Sequence, residues 1–175
     1  MNRINVIGSS ASGKSTFSRQ LAKKMAIPYI EMDAIFWLPN WQQPSDEVFF
    51  TELKQALAPT AWVLDGNYNR SVPIKWEQVD TVIWLDYSLA RTAYQSITRA
   101  LKRSISGKEL WPNTGNVETF KKSFFSKDSV ILWSLQNYHH NRRRYLKVKT
   151  DPQFAHIKFV HLTSPRQAQR YIEQQ

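Results

Sequence analysis

Gly8-Ser9-Ser10-Ala11-Ser12-Gly13-Lys14-Ser15-Thr16 is the stretch from which the rest of this chain is read. Its first eight residues fit the pattern G-x-x-x-x-G-K-S/T, with a short apolar segment, Arg3–Ile7, before it and a helical pattern after it. In that setting successive backbone N–H groups face an anion at a helix N-terminus, where the helix dipole also favours negative charge. Gly8 and Gly13 allow the backbone angles and the close approach that a side chain would obstruct. The stretch predicts a loop around the phosphates of ATP, formed by Gly8, Ser9, Ser10, Ala11, Ser12, Gly13, Lys14, Ser15 and Thr16. Lys14 is placed to reach the β- and γ-phosphates, Ser15 to bind Mg²⁺, and Thr16 to lie near the α-phosphate.

Outward from the loop, apolar strands and helices alternate. Phe17, Leu21 and Met25 recur every four residues, giving a helix over about 14–26 that Pro28 stops. Strands are expected at Tyr29–Met32, Ala61–Asp65, Thr81–Asp86 and His156–Leu162, besides Arg3–Ile7. Helices are expected from Ser45 to about Ala58, over Leu89–Ser106 and near Ser129–Val148, with a short one before the last of these. Ser164, Pro165 and Gln167 then match a capping box with proline at the first helical position. Five short strands alternating with helices imply an α/β three-layer sandwich, a parallel sheet covered on both faces. Residues 1–175 read as one domain, with a Gly- and Pro-containing basic subregion near 106–126 that reads as a mobile lid.

Composition narrows the function. The chain has 175 residues, 42% hydrophobic and 22% charged, near the average for a globular protein, so wholesale disorder is excluded. It has no cysteine, which removes disulfides and thiolate metal sites. No apolar run approaches the length of a membrane span, and the first residues lack the apolar stretch of a secretory signal, so a cytoplasmic location is expected. The net charge is +10, and residues 91–149 carry all of that excess, with 13 Lys/Arg against 3 Asp/Glu. Such a patch attracts phosphates, on a nucleotide or on nucleic acid.

Candidate chemistry follows from this charge and from the strand ends. Asp65 and Asp86 both close strands, and either can supply a carboxylate to Mg²⁺; Asp65 is preferred because Gly66 follows it. Ile131, Leu135, Tyr138, Arg142 and Tyr145 share one helical stripe, so Arg142 needs an anionic partner, either ATP phosphate or a structural aspartate. Arg99 and Arg103 are four apart and can grip one anion at the base of the lid, whereas Arg91 lies off that edge. Glu31 and Asp33, two apart at the end of a strand, are expected on one side of it, with Asp33 the candidate base for an acceptor hydroxyl. Trp37 and Trp41 either stack on a planar acceptor or belong to the core, and the four histidines show no metal-ligand spacing. The catalytic set is thus Lys14, Asp33, Arg99, Arg103 and Arg142, with Ser15 and Asp65 for the metal.

The phosphate loop, Asp33 with Phe36-Trp37 and Pro39-Asn40-Trp41, Trp62-Val63-Leu64-Asp65-Gly66-Asn67-Tyr68, Ile83-Trp84-Leu85-Asp86 and the helix carrying Arg99 and Arg103 follow one another in order. In this the chain resembles the bacterial DNA topology modulation proteins, a branch of the adenylate-kinase-related P-loop kinases, over nearly its whole length. The resemblance implies a nucleoside-kinase-like fold with strand order 2-3-1-4-5, ATP and Mg²⁺ binding, and a lid bearing arginines. Asp65 and Gly66 match the Asp-Gly-Phe-Pro-Arg segment of adenylate kinases, with Arg70 displaced by one position; the Thr-Gly-Asp acceptor segment of those enzymes is absent after the first helix. Three functions compete: transfer of the ATP γ-phosphoryl to a small acceptor, nucleotide-dependent DNA binding without turnover, and plain ATP hydrolysis. The oligomeric state is not legible in the residues.

Overall fold

A computed structural model describes residues 1–120 and 129–175. A five-stranded parallel sheet forms its centre: β1 (Arg3–Gly8), β2 (Tyr29–Glu31), β3 (Trp62–Asp65), β4 (Thr81–Leu85) and β5 (Lys158–Leu162), in the spatial order β2-β3-β1-β4-β5. Each expected strand shifts by a residue or two at one end: β1 runs on to Gly8, β2 stops at Glu31, β3 begins at Trp62, β4 stops at Leu85 and β5 begins at Lys158. The helices are α1 (Lys14–Met25), α2 (Met32–Phe36), α3 (Asp46–Ala56), α4 (Val72–Lys75), α5 (Leu89–Ser106), α6 (Val130–Lys149) and α7 (Pro165–Glu173). The short helix expected before α6 lies outside the described residues, as do residues 121–126 of the expected lid.

Alternation along each strand divides the core into two layers. Ile4, Val6, Val63, Ile83 and Leu85 meet Phe17, Leu21 and Ala22 of α1 and Ala168 and Ile172 of α7. Ile7, Trp62, Leu64, Val82 and Trp84 face the other way, onto Phe49, Leu53, Trp76 and Tyr145. Strands buried on both sides need near-continuous apolar sequence, and WVLD and TVIWL supply it. Asn5 is the fully buried polar exception, and it is satisfied. Its amide donates to the carbonyls of Leu64 (3.1 Å) and Gly66 (3.2 Å), and its oxygen accepts the Trp76 indole N–H (2.8 Å).

Side-chain caps start the longer helices, with one exception. Ser45, Ser88, Ser129 and Ser164 each accept a backbone N–H in the first turn of α3, α5, α6 and α7. Helix α1 begins instead at Gly13 (φ 88°), with neither a side-chain cap nor an acidic residue in its first turn. Its leading N–H groups are thereby left for an external anion.

Gly66, directly after β3, has φ +152°, and a Cβ there would lie 2.6 Å from both Cβ and Sδ of Met32. Gly66→Ala is therefore expected to lower stability by about 2–4 kcal/mol. Urea denaturation of the purified variant measures this, and an unchanged midpoint would contradict the packing described.

Candidate active site

The C-terminal ends of β1, β3 and β4 open onto the crevice where ligands bind in open α/β sheets. The loop from Ser9 to Gly13 spans this edge. Ser12 N–H donates to the Ser9 carbonyl (3.1 Å), and the Lys14 ammonium folds back onto the same carbonyl (2.9 Å). Ala11 (φ 61°) and Gly13 (φ 88°) both take left-handed angles. Such turns aim successive N–H groups inward and form a concavity suited to an anion.

Strand parity settles the surroundings of the two aspartates. Asp65 has the parity of Val63, so it faces the α1 layer and lies beside Lys14 and Ser15. Burial raises its carboxyl above the usual range, while the Lys14 ammonium and the Ser15 hydroxyl pull it back down. Burial likewise lowers the Lys14 ammonium, with Asp65 and then Asp33 opposing the shift. Tyr29 hydroxyl donates to Asp65 Oδ2 at 3.3 Å, whereas Oδ1 is buried and makes no hydrogen bond of normal geometry among the described residues. An orphaned carboxylate oxygen next to a hydroxyl is a hard-oxygen pair, and it fits Mg²⁺, which prefers one or two protein ligands plus phosphate and water.

Asp86 has the parity of Val82 and Trp84 and faces α6 instead. There Arg142 Nε donates to both its oxygens (3.1 and 2.9 Å), and His161 Nε2 lies 2.9 Å from Oδ2. Trp84 stacks on the His161 ring at 4.2 Å. Of the two partners expected for Arg142, the structure thus supplies the structural aspartate, because the α6 stripe that buries Tyr138 and Tyr145 brings the intervening arginine over the end of β4. Arg142 remains 45% exposed.

The α5 arginines divide similarly. Arg99 reaches the loop, donating from Nη2 to Ser10 Oγ (3.2 Å), and its Nε is buried without a partner among the described residues. Burial and the neighbouring Arg103 both lower its pKa. Arg103 pairs with Glu118 at 3.0 Å.

Asp33 lies in the first turn of α2 rather than on the end of a strand, so it does not share a strand face with Glu31. The chain turns helical at Met32, which is fully buried and packs against Gly66. Tyr68 donates to Asp33 Oδ1 at 2.8 Å, and burial followed by Asp33 itself raises the phenol's pKa. Arg70 pairs with Asp46 (2.7 Å) and lies over the rings of Phe36 and Phe49.

Contacts distant in sequence complete the crevice. Trp37, Trp41 and Trp111 pack edge to face in series. The Trp111 indole donates to Glu31 Oε1 (3.3 Å). Asn116, fully buried, accepts the Trp41 N–H (2.8 Å) and donates to the Leu38 carbonyl (2.9 Å), while Asn40 N–H reaches the Thr114 carbonyl (3.4 Å). Asn40 and Trp41 have φ of 58° and 60°. The described part of the expected lid, up to residue 120, is therefore clasped over the 37–41 loop. Asn67 is a further addition: its carboxamide accepts the Gly8 N–H (3.1 Å) and donates to the Gly8 carbonyl. It falls inside the Trp-x-x-Asp-Gly-Asn-Tyr run, the one sign of it in the sequence. Beyond the loop, a cavity of about 240 Å³ lies among Ser12, Thr16, Tyr87, Arg91, Gln95 and Pro165.

Neither family models nor curated protein sequences give a match to this chain. Solved structures do. A gluconokinase from Sinorhizobium meliloti 1021 superposes with a TM-score of 0.51 at 17% identity, covering 99% of this chain and 92% of its own. The shikimate kinase from Bacteroides thetaiotaomicron gives 0.55 at 10% identity, over 99% and 95%. The fold is that of the P-loop kinases. At these identities the likeness establishes architecture alone, five parallel strands in the order 2-3-1-4-5 with the glycine loop at the crevice. Among the described residues, no helix is long and apolar enough to cross a membrane, and no group of three or more His, Asp or Glu could hold a metal.

Proposed function

We propose that this protein is an ATP-dependent phosphotransferase acting on a hydroxyl of a small acceptor. The observation that carries the reading is the convergence of Lys14, Ser15, Asp65 and Arg99 on one loop whose helix lacks a cap of its own. The loop N–H groups and Lys14 hold the β- and γ-phosphates, and the 240 Å³ cavity beside Thr16 takes the nucleoside between Arg91 and Pro165. Ser15 and Asp65 would hold Mg²⁺, which when bound neutralises phosphate charge.

Asp33 accepts the proton of the acceptor hydroxyl as its oxygen bonds to the γ-phosphorus and the bond to the β-bridging oxygen breaks. Tyr68 orients that carboxylate. Arg99 and Lys14 stabilise the charge spread over the moving group, Arg103 adds positive charge from the lid base, and Arg142 acts indirectly by fixing Asp86 at the crevice rim. The clasp of residues 107–117 over Trp37 and Trp41 excludes water, which favours transfer to an acceptor over hydrolysis. The resemblance to DNA topology modulation proteins and the cytoplasmic location belong to the same reading. It commits the basic residues near the loop to nucleotide phosphate rather than to a duplex.

A panel of nucleosides, nucleotides and small alcohols with γ-labelled ATP tests this: label should pass to a hydroxyl compound, and ADP should form only when that compound is present. Asp33→Asn should then lower kcat by about 10²-fold with little change in ATP binding. ADP release independent of any acceptor would defeat the proposal, as would full activity of Asp33→Asn.

A further inference from the structure

A second cavity, of about 280 Å³, lies on the other side of the sheet, where α4 and α6 pass the end of β1. Most of its wall is apolar: Ile7, Val72, Trp76, Tyr145, Val148 and Phe154. Two cations, Lys75 and Arg144, line it as well. Lys75 is 1% exposed, and its one hydrogen bond among the described residues is a long one, 3.4 Å to the Gly66 carbonyl. Among the described residues neither cation has a carboxylate partner, and Arg144 instead lies 4.7 Å over the ring of Tyr145, whose buried hydroxyl makes no hydrogen bond of normal geometry to any of them.

A buried lysine without an anion is costly to keep charged. Here burial, and secondarily Arg144, lower its pKa to about 7. Isolated from carboxylates, an ammonium and a guanidinium facing an apolar chamber form half of a binding site. We propose that this cavity binds a small organic anion, a carboxylate on an apolar body, with its charge between Lys75 and Arg144 and its body against Trp76 and Phe154.

The site is not isolated from the phosphate loop. Asn67 lines the same cavity and holds Gly8 through both its carboxamide atoms, and Lys75 touches the carbonyl of the residue before Asn67. Occupancy would therefore be felt at the loop, although the inference does not rest on the phosphotransferase reading. The bound anion favours the charged amine, so binding takes up a proton and tightens as pH falls through 7. The Tyr145 phenol, raised by burial, stays neutral, so Lys75 is the group that titrates.

Calorimetric titration of the full chain with benzoate, and with benzamide as the uncharged control, tests the site. Benzoate is expected to bind and benzamide at least about tenfold more weakly, the loss of one charge-assisted hydrogen bond. Lys75→Met, which keeps the volume of the stem, and Arg144→Gln, on a partly exposed helix face, should each weaken benzoate about tenfold or more, while Lys14→Met leaves it unchanged. Lys75→Met should also abolish the strengthening between pH 8 and pH 6. Loss of benzoate binding in Lys14→Met alone would place the anion in the phosphate loop and overturn the inference; so would equal binding of benzoate and benzamide, or no binding of benzoate at all.

Discussion

Lys14→Met is expected to lower kcat/KM for phosphoryl transfer by about 10³-fold, close to 4 kcal/mol of transition-state stabilisation. The lysine stands beside Asp65 and Asp33, whose charges it offsets, and burial already weakens its own charged form. Methionine preserves the stem and removes the charge, so the phosphates lose their cation and Asp65 loses the neighbour that lowers its pKa. That carboxyl rises further, and Mg²⁺ binding at a given pH weakens with it. The variant should melt near the wild-type temperature without nucleotide, since the Lys14 hydrogen bond is to a loop carbonyl and no ion pair among the described residues is broken. Added ATP should then raise the melting temperature of wild type and not of the variant. Turnover and ATP stabilisation that both survive the substitution would remove the basis for reading the loop as a phosphate site.

Arg99→Gln carries a comparable effect, about 10³-fold in kcat, the range found when an arginine that neutralises the transferring phosphoryl is lost. Its guanidinium touches Ser10, has a buried Nε without a partner among the described residues, and lies near a second cation. Burial first, and that cation second, make its charge costly to hold until an anion arrives, with Glu118 and Asp33 offsetting part of the cost. The substitution should therefore leave the free chain as stable as before or slightly more so, while kcat collapses and KM for ATP changes little. Arg99→Lys should recover only a small part of the rate, because a point charge does not reproduce the planar fork. A kcat within twofold of wild type in Arg99→Gln would show that the arginine serves the surface and not the reaction.

The sheet and its loop were legible because each rests on local pattern: apolar tetrads and pentads for the strands, two glycines and a lysine for the turn. The surroundings of Asp65 and Asp86 were legible in principle too. Counting alternate residues from Val63 and from Val82 sends the two side chains to opposite layers, a step that the bare fact of two strand-terminal acids leaves out. Asp33 misled because Tyr29-Ile30-Glu31-Met32-Asp33 continues an alternating pattern past the point where Met32 must turn inward against Gly66. The helical stripe that includes Arg142 was readable, whereas the carboxylate that meets it comes from 56 residues away. Trp111 on Glu31 and Asn116 on Trp41 are 80 and 75 residues apart, and no periodicity encodes such pairs.

The clasp made by Asn116 has a mechanical consequence. It keeps Trp41 in a left-handed angle that costs a bulky residue about 1 kcal/mol, so the shut loop is cocked like a spring and leans toward release. Asn116→Ala should let it go, and newcomers to the crevice would find the doorway ajar instead of having to wait for it.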